Sequence, residues 1–189
     1  MLIYPNLQSL KQLSKLLIIY SGSFSPPHVS HMNVMIDVMK VLPHAKMFMV
    51  PVNDLYPKSG LITGFNSDGV NHRFLMCKMT VNEILKTYPV LDISASDYTF
   101  QIDKPKIDRD IVIHFSELYP DYKIACIIGQ DVYDNMDSWD EENKKEILSG
   151  KYEIIVYPRT NSVSSSNIRN NKAYQDLLES VKNYYLKLI

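Results

Sequence analysis

The sequence lacks the features that mark several classes of protein. Its formal net charge is only −1, so it provides no basic field for nucleic acid. No apolar run approaches the roughly 20 residues that a membrane-spanning helix requires. It also has no internal repeat and no long cationic segment. We therefore expect no nucleic-acid partner and no membrane partner.

Cysteine is scarce, with two residues in 189. Cys77 and Cys126 both lie inside apolar stretches and belong to no CxxC motif, which is typical of reduced, buried thiols. The sequence alone leaves a disulfide between them open. Residues 1–15 show neither a long apolar stretch nor an arginine-rich leader. We therefore expect a cytoplasmic or nuclear protein.

The apolar fraction of 46% is ordinary for a chain that buries a core, and 189 residues fit one compact domain. We predict a single domain over residues 1–189. Leu7, Leu10 and Leu13 have the spacing of one helical face, so residues 1–15 are predicted to form a helical extension of this domain.

Short apolar runs alternate with segments of helical periodicity. The predicted strands cover residues 16–20, 47–50, 90–95, 123–128 and 152–157. The predicted helices cover residues 29–41, 71–86 and 109–118, with another around Glu142, Lys145 and Glu146 and a last helical segment that follows Ser166 and reaches Leu188. Because such strands are apolar on both faces, we predict an α/β fold with a parallel sheet of about five strands.

The loop after the first predicted strand is the first candidate site, because ligands of open parallel sheets bind beyond the carboxyl ends of strands. Gly22 would let the backbone approach a phosphate, and Ser23 and Phe24 could offer backbone N–H groups to it. His28 and His31 would share one face of the following helix. Two such histidines are equally typical of capping or core residues, and no further ligand has the spacing of a zinc site.

A serine cluster near the other end of the chain is the second candidate. Ser164, Ser165 and Ser166 precede a predicted helix, where hydroxyl and N–H groups attract anions, and Arg169 adds a planar cation suited to phosphate. Taken by itself, the pattern is more typical of a serine N-cap followed by a solvated arginine.

Together the two segments resemble the signatures of the nucleotidylyltransferase superfamily. Residues 22–31, GSFSPPHVSH, resemble its motif GxFxPxHxGH, and residues 163–169, VSSSNIR, resemble its motif ISSTxIR. Residues 51–61 with Asn71, His72 and Arg73 are similar to a segment of the nicotinamide mononucleotide adenylyltransferases of eukaryotic type. Two signatures in the correct order are far more specific than either alone.

The resemblance implies a Rossmann-like three-layer fold and an enzyme of NAD biosynthesis. Such an enzyme transfers the adenylyl group of MgATP to nicotinamide mononucleotide, or also to nicotinic acid mononucleotide, and releases pyrophosphate. Mg²⁺ would accompany ATP, and a homo-oligomer is compatible with the family. Alternatives are adenylyl or cytidylyl transfer to a different phosphate acceptor, and a non-catalytic nucleotide-binding module of the same fold.

The resemblance also implies a set of site residues. His28, His31 and Arg169 would be catalytic. The ATP site would comprise Gly22, Ser23, Phe24, His28, His31, Gly129, Asp131, Ser164, Ser165, Ser166 and Arg169. The mononucleotide site would comprise Ser23, Phe24, Tyr56, Lys58, Asp97, Thr99 and Trp139, with Lys58 at the acceptor phosphate and Trp139 stacked on the pyridine ring. This arrangement requires the turn after the first strand and the serine-capped helix to converge on one triphosphate.

The sequence departs from the family pattern at three places. Ser30 replaces a glycine of the first signature and Ser166 replaces a threonine of the second, and both changes keep a short side chain. Between Tyr157 and Val163 only a short link is present, where family members generally insert further structure. The link puts a sixth strand and a family-like oligomer interface in doubt.

Overall fold

A computed structural model describes residues 7–103, 107–135, 145, 150–158 and 163–189 of the chain. Within these ranges, the strands are β1 (Leu16–Gly22), β2 (Lys46–Pro51), β3 (Asp92–Ala95), β4 (Lys123–Gly129) and β5 (Glu153–Tyr157). They form one five-stranded sheet in the order β3-β2-β1-β4-β5, and every neighbouring pair is parallel. The predicted parallel sheet is confirmed.

Helices connect and flank these strands. They are α1 (Leu7–Lys11), α2 (Val29–Val41), α3 (His72–Thr87), α4 (Ile107–Leu118), α5 (Gln130–Asp134), α6 (Ser165–Asn171) and α7 (Glu179–Tyr185), with 3₁₀ turns at Tyr98–Phe100 and Tyr174–Asp176. None of the helices in the described ranges has the length and apolar character needed to cross a membrane.

The central strand β1 is apolar at successive positions because both of its faces are covered. Leu16 and Ile18 pack into a core cluster with α2 and α3, whereas Leu17 and Ile19 pack on the opposite face against α4. A strand that is covered on both sides has no solvent-facing positions, so its apolar run is continuous. The Rossmann-like three-layer α/β fold is therefore confirmed.

The two cysteines lie on opposite faces of this sheet. Cys77 belongs to the cluster under α2 and α3, and Cys126 belongs to the cluster under α4. Both thiols are buried, and neither forms a disulfide, as predicted. Burial in apolar surroundings raises the pKa of the Cys77 thiol well above its ordinary value.

The C-terminal region differs from the prediction. A single helical segment reaching Leu188 is wrong, because α6 ends at Asn171 and Lys172 adopts a left-handed conformation with φ of 53°. The chain then turns back, and α7 packs on α3 through a third apolar cluster that includes Met76, Ile168 and Val181. Through Ile168 this cluster also fixes α6.

Two helical segments near β4 and β5 compare differently with the sequence predictions. The short helix α5, directly after β4, was not predicted. The helix predicted around Glu142, Lys145 and Glu146 lies outside the described residues except for Lys145, which is helical.

The strand order also sets the place for a ligand. β1 pairs with both β2 and β4, and the chain leaves β1 on one side of the sheet before returning later to add β4 on the other. In open α/β sheets this reversal of strand order opens a crevice at the carboxyl edge. The loops after β1, β2 and β4 all end at that edge.

Candidate active site

The loop after β1 is shaped by Gly22 and Phe24. A Cβ atom on Gly22 would lie 2.9 Å from the Phe24 ring, so only glycine fits there. Phe24 has a φ of 41°, and its buried ring packs edge-on against Tyr20 and His31 at centroid distances of 5.2 and 4.9 Å. The Phe24 side chain is therefore committed to the core, and any ligand contact by this residue must use its backbone.

The two histidines begin α2 and lie side by side. His28 is the N-cap of α2, and its ring centroid lies 3.7 Å from that of His31. The backbone N–H of His28 donates a hydrogen bond to Nδ1 of His31 at 3.1 Å. A neutral His31 must then carry its proton on Nε2, which makes Nε2 a donor.

Burial lowers the pKa of His31 well below its ordinary value of 6.5, and the nearby His28 and Lys58 lower it further. His31 is thus neutral near pH 7 in the ligand-free protein. It can hold a phosphate by a hydrogen bond rather than as a cation. Positive charge in the site must come from other residues.

The serine-capped helix α6 contacts the loop after β1, so the two segments converge as predicted from the sequence. The Ser165 hydroxyl donates to the carbonyl of Pro26 at 2.8 Å, and the Arg169 guanidinium donates to the carbonyl of Ser25 and to the Ser166 hydroxyl, the latter at 3.2 Å. The Ser164 side chain caps the helix by accepting the N–H of Asn167 at 3.1 Å. The two segments that resemble family signatures therefore lie together.

Lys58 approaches the same place from the loop after β2. Its Nζ donates to the Ser23 hydroxyl at 3.2 Å. Desolvation and the positive charge of Arg169 lower the pKa of Lys58, and desolvation also lowers the pKa of Arg169. Gly60 has a φ of 70°, and a Cβ atom there would lie 3.3 Å from Arg169 Nε. The two cations are held near each other, an arrangement that a bound anion would stabilise.

The loop after β4 adds one acidic group to this neighbourhood. A Cβ atom on Gly129 would lie 2.6 Å from Oδ1 of Asp131, so glycine leaves room for the carboxylate. Asp131 lies in the first turn of α5. Its negative charge partly opposes the lowering of the Lys58 pKa. Gly129 and Asp131 are therefore placed at the same edge as Lys58.

The segment after β3 is tied to the end of β2. Thr99 is fully buried, and its hydroxyl donates to the Pro51 carbonyl at 2.6 Å. The Thr99 carbonyl accepts from the Asn53 side-chain amide at 2.7 Å. The hydroxyl proposed for acceptor contact is thus occupied in the ligand-free protein, while Asp97 accepts a hydrogen bond from Gln101 at 3.0 Å.

Two aromatic residues complete the predicted mononucleotide site. Tyr56 lies exposed in the loop after β2, two positions before Lys58. Trp139 lies outside the described residues. Tyr98, which follows Asp97, stacks on His114 of α4 with a centroid distance of 3.6 Å and an interplanar angle of 8°.

Sequence reasoning missed the ion pair between Asp54 and Arg73. The Arg73 side chain is fully buried and contacts Asp54 at 2.6 Å. A signal was available, because Arg73 shares a helical face with Met76 and Cys77, both buried. A charged residue on an apolar face is almost never buried unless it is paired.

Metal binding by protein side chains finds no support in the described ranges. They contain no group of three or more His, Cys, Asp or Glu side chains that could hold an ion. Mg²⁺ usually keeps several waters and binds substrate phosphates rather than an all-protein cage.

One family model and several relatives match most of this chain. The family model described as Cytidylyltransferase-like matches residues 19–171. A probable nicotinate-nucleotide adenylyltransferase of Cytophaga hutchinsonii is 30% identical over 157 residues, which cover 82% of this chain and 73% of the relative. One of Helicobacter pylori with the same name is 25% identical over 146 residues, covering 77% and 75% of the two chains.

Solved structures share the fold. A nicotinic acid mononucleotide adenylyltransferase of Plasmodium falciparum complexed with NaAD superposes with a TM-score of 0.64 at 18% identity, covering 92% of this chain and 95% of that one. A putative nicotinate-nucleotide adenylyltransferase from Vibrio parahaemolyticus gives a TM-score of 0.63 at 17% identity, with coverages of 91% and 99%.

Proposed function

We propose that this chain, which belongs to the cytidylyltransferase-like family, transfers the adenylyl group of MgATP to the phosphate of a pyridine mononucleotide and releases pyrophosphate. The observation that carries the proposal is that Lys58 and Arg169 both hydrogen-bond to the loop after β1 at the carboxyl edge of the sheet, through the Ser23 hydroxyl and the Ser25 carbonyl. Two cations held in one crevice favour a polyanionic ligand over any neutral one.

The proposed reaction needs no protein nucleophile. A phosphate oxygen of the mononucleotide attacks the α-phosphorus of ATP, and the bond from that phosphorus to the oxygen of the β-phosphate breaks. A phosphate monoester is already ionised near neutral pH, so the protein has to bring two anions together and stabilise the charge of the transition state. Such work requires donors that are fixed in advance.

We assign the catalytic roles to donors that lie around the loop after β1. His28 and the Nε2 proton of His31 hold the ATP phosphates, and Arg169 with the Ser166 hydroxyl binds the departing pyrophosphate. Gly22, Ser23 and Phe24 supply backbone N–H groups. Ser164 and Ser165 act at the same helix start, where the Ser165 hydroxyl already holds the Pro26 carbonyl.

Further ATP and metal contacts are proposed on the same basis. Asp131, for which Gly129 makes room, contacts the nucleotide ribose. Mg²⁺ would accompany ATP and would offset part of the negative charge of its phosphates.

The mononucleotide is assigned to the loops after β2 and β3. Lys58, beside Ser23 and facing Arg169, meets the acceptor phosphate. Tyr56 flanks the mononucleotide, Trp139 stacks on the pyridine ring, and Asp97 provides an acceptor contact. Because the Thr99 hydroxyl is bonded to Pro51, we assign Thr99 a positioning role that keeps Asp97 in place.

Two pyridine mononucleotides are candidates for the acceptor. The likeness of residues 51–61 to the eukaryotic-type enzymes favours nicotinamide mononucleotide. The names of the relatives from Cytophaga hutchinsonii and Helicobacter pylori favour nicotinic acid mononucleotide. A single buried donor or acceptor beside the ring can decide between an amide and a carboxylate.

The decisive experiment measures pyrophosphate release from MgATP with each mononucleotide as the only added acceptor. We expect release with at least one of them, and formation of the matching dinucleotide in equal amount. FMN and pantetheine phosphate serve as control acceptors. Release with neither pyridine mononucleotide would contradict the proposal, and dinucleotide binding without release would support a non-catalytic module.

A further inference from the structure

We infer that the ion pair formed by the buried Arg73 and the partly buried Asp54 is a positioning device, which holds the phosphate loop after β1 and the acceptor loop after β2 in one fixed register. Here the phosphate loop means residues 22–28 and the acceptor loop means residues 52–64. The inference rests on the proposed function, because it concerns the relative placement of the two substrates.

Arg73 donates to three separate partners. Its Nε donates to the Ile62 carbonyl at 2.8 Å, one Nη donates to the Ser23 carbonyl at 3.0 Å, and the other contacts Asp54 at 2.6 Å. The guanidinium thus joins the phosphate loop to both halves of the acceptor loop. A rigid planar fork can make these bonds at once, whereas a lysine ammonium is a single point charge on a flexible stem.

Asp54 completes the connection from the other side. Its Oδ2 accepts the N–H of Gly64 at 2.9 Å, and both carboxylate oxygens accept from the Asn71 side-chain amide, at 3.2 and 3.1 Å. Asn71 is the N-cap of α3 and also accepts the N–H of Arg73 at 2.9 Å. The acceptor loop is therefore fastened to the start of a core helix.

Ile62 is held from two directions. Its carbonyl accepts from Arg73, and its N–H donates to the hydroxyl of Ser25, a fully buried residue of the phosphate loop, at 2.7 Å. The two loops are consequently bonded to each other as well as to Arg73. Loops tied at several points keep a geometry that exposed loops ordinarily lose.

Ser23 links this device to the proposed chemistry. The Ser23 carbonyl accepts from Arg73, and the Ser23 hydroxyl accepts from Nζ of Lys58. Arg73 therefore fixes the residue that Lys58 reaches, and Lys58 is the proposed partner of the acceptor phosphate. A shift of Ser23 relative to the acceptor loop would change the distance between the attacking phosphate and ATP.

The test compares Arg73→Lys with Val81→Ala. Arg73→Lys keeps the positive charge beside Asp54 but replaces the planar fork that reaches Ser23 and Ile62 with a single ammonium group on a flexible stem. Val81→Ala removes buried volume from the same helix at a position in the core cluster under α2 and α3. Both proteins are assayed for pyrophosphate release per folded molecule and for hydrogen exchange of the Ile62 and Gly64 amides without substrate.

We expect Arg73→Lys to lower kcat by about 10-fold to 100-fold, since a misplacement near 1 Å can have that effect, while the KM for ATP changes less than about threefold. The Ile62 and Gly64 amides should exchange at least about tenfold faster. Val81→Ala should keep kcat and the protection of both amides. Any other combination for Arg73→Lys, including lost turnover with unchanged exchange, overturns the inference.

Two further cases are covered, a variant that does not fold and a parent protein that has no activity. If Arg73→Lys does not fold, Asp54→Asn replaces it with the same thresholds, because it keeps the size of the side chain and removes the charge. If the unmodified protein releases no pyrophosphate with either mononucleotide, the proposed function is contradicted. In that case the amide exchange still reports whether Arg73 joins the two loops.

Discussion

The Ser165 hydroxyl donates a hydrogen bond to the Pro26 carbonyl at 2.8 Å, although the two residues are 139 positions apart. The bond is buried, so losing it would leave a carbonyl without compensation. It joins the first helix turn of the C-terminal signature to the loop of the N-terminal signature. The two motifs are therefore parts of one site.

Replacing His28 tests the phosphate-binding role. We expect His28→Ala to lower kcat by about 100-fold or more, because one preorganised donor contributes about 3–4 kcal/mol to the barrier in comparable sites. Asn33→Ala, at an exposed position on the same helix, is the control and should retain full activity. Rates are measured by pyrophosphate release and normalised to the folded fraction. Near-normal turnover of folded His28→Ala would remove His28 from the mechanism.

Replacing Gly129 is expected to displace the Asp131 carboxylate without a mutation of Asp131 itself. A methyl group at position 129 would collide with the Asp131 carboxylate, an exposed side chain that can rotate away. Gly129→Ala should therefore change the free energy of unfolding by less than about 0.5 kcal/mol but raise the KM for ATP. Adding Gly129→Ala to Asp131→Ala should have no further effect on that KM. An additional loss in the double variant would mean that Gly129 acts independently of the carboxylate.

The desolvated imidazole of His31 predicts a specific pH dependence of stability. Its pKa in the folded protein is far below 6.5, so below about pH 6.5 the unfolded chain binds more protons than the folded one. The free energy of unfolding should accordingly fall by about 1.4 kcal/mol per pH unit as the pH drops from there toward the folded pKa. His31 alone accounts for this contribution.

Two variants isolate it in chemical denaturation between pH 5 and 8. His31→Gln keeps a side chain that can accept the His28 N–H, as glutamine does in a capping box, and should flatten the slope. His44→Gln changes an exposed histidine and should leave the slope unchanged. Equal slopes in the parent and His31→Gln proteins would refute the lowered pKa of His31.

Thr99 separates a positioning role from substrate contact. Thr99→Val leaves the buried Pro51 carbonyl without its donor and should lower the free energy of unfolding by about 1–3 kcal/mol. Thr99→Ser keeps the hydroxyl and should retain most of the activity. If Thr99→Val were as stable as the parent yet had a raised acceptor KM, direct contact would be the better explanation.

Local patterns predicted most of the framework. The bounds of α2 and the core of each strand follow from apolar spacing, and the loop after β1 follows from glycine and proline between them. The break after Asn171 escaped prediction because Lys172 is not a residue type that favours a left-handed backbone.

Sequence motifs predicted which residues belong to the candidate site, and the structure showed which partners their side chains have. Sequence placed the serines and Arg169 at a helix start, but only the fold brings them onto Ser25 and Pro26. The same holds for Thr99, whose hydroxyl is bonded to β2 rather than directed to a ligand. Side-chain partners this distant in sequence depend on strand order, which periodicity does not encode.

The amino-acid sequence by itself determined the alternation of strands and helices, the phosphate-loop glycine and the two signature segments, because these depend on neighbours a few positions apart. The tertiary structure decided that His31 is neutral and that Arg73 is buried against Asp54. It also decided that Arg169 lies close enough to Lys58 for its positive charge to lower the Lys58 pKa. Burial and long-range Coulomb interactions arise only when distant segments pack together, so protonation states and ion pairs are properties of the folded chain.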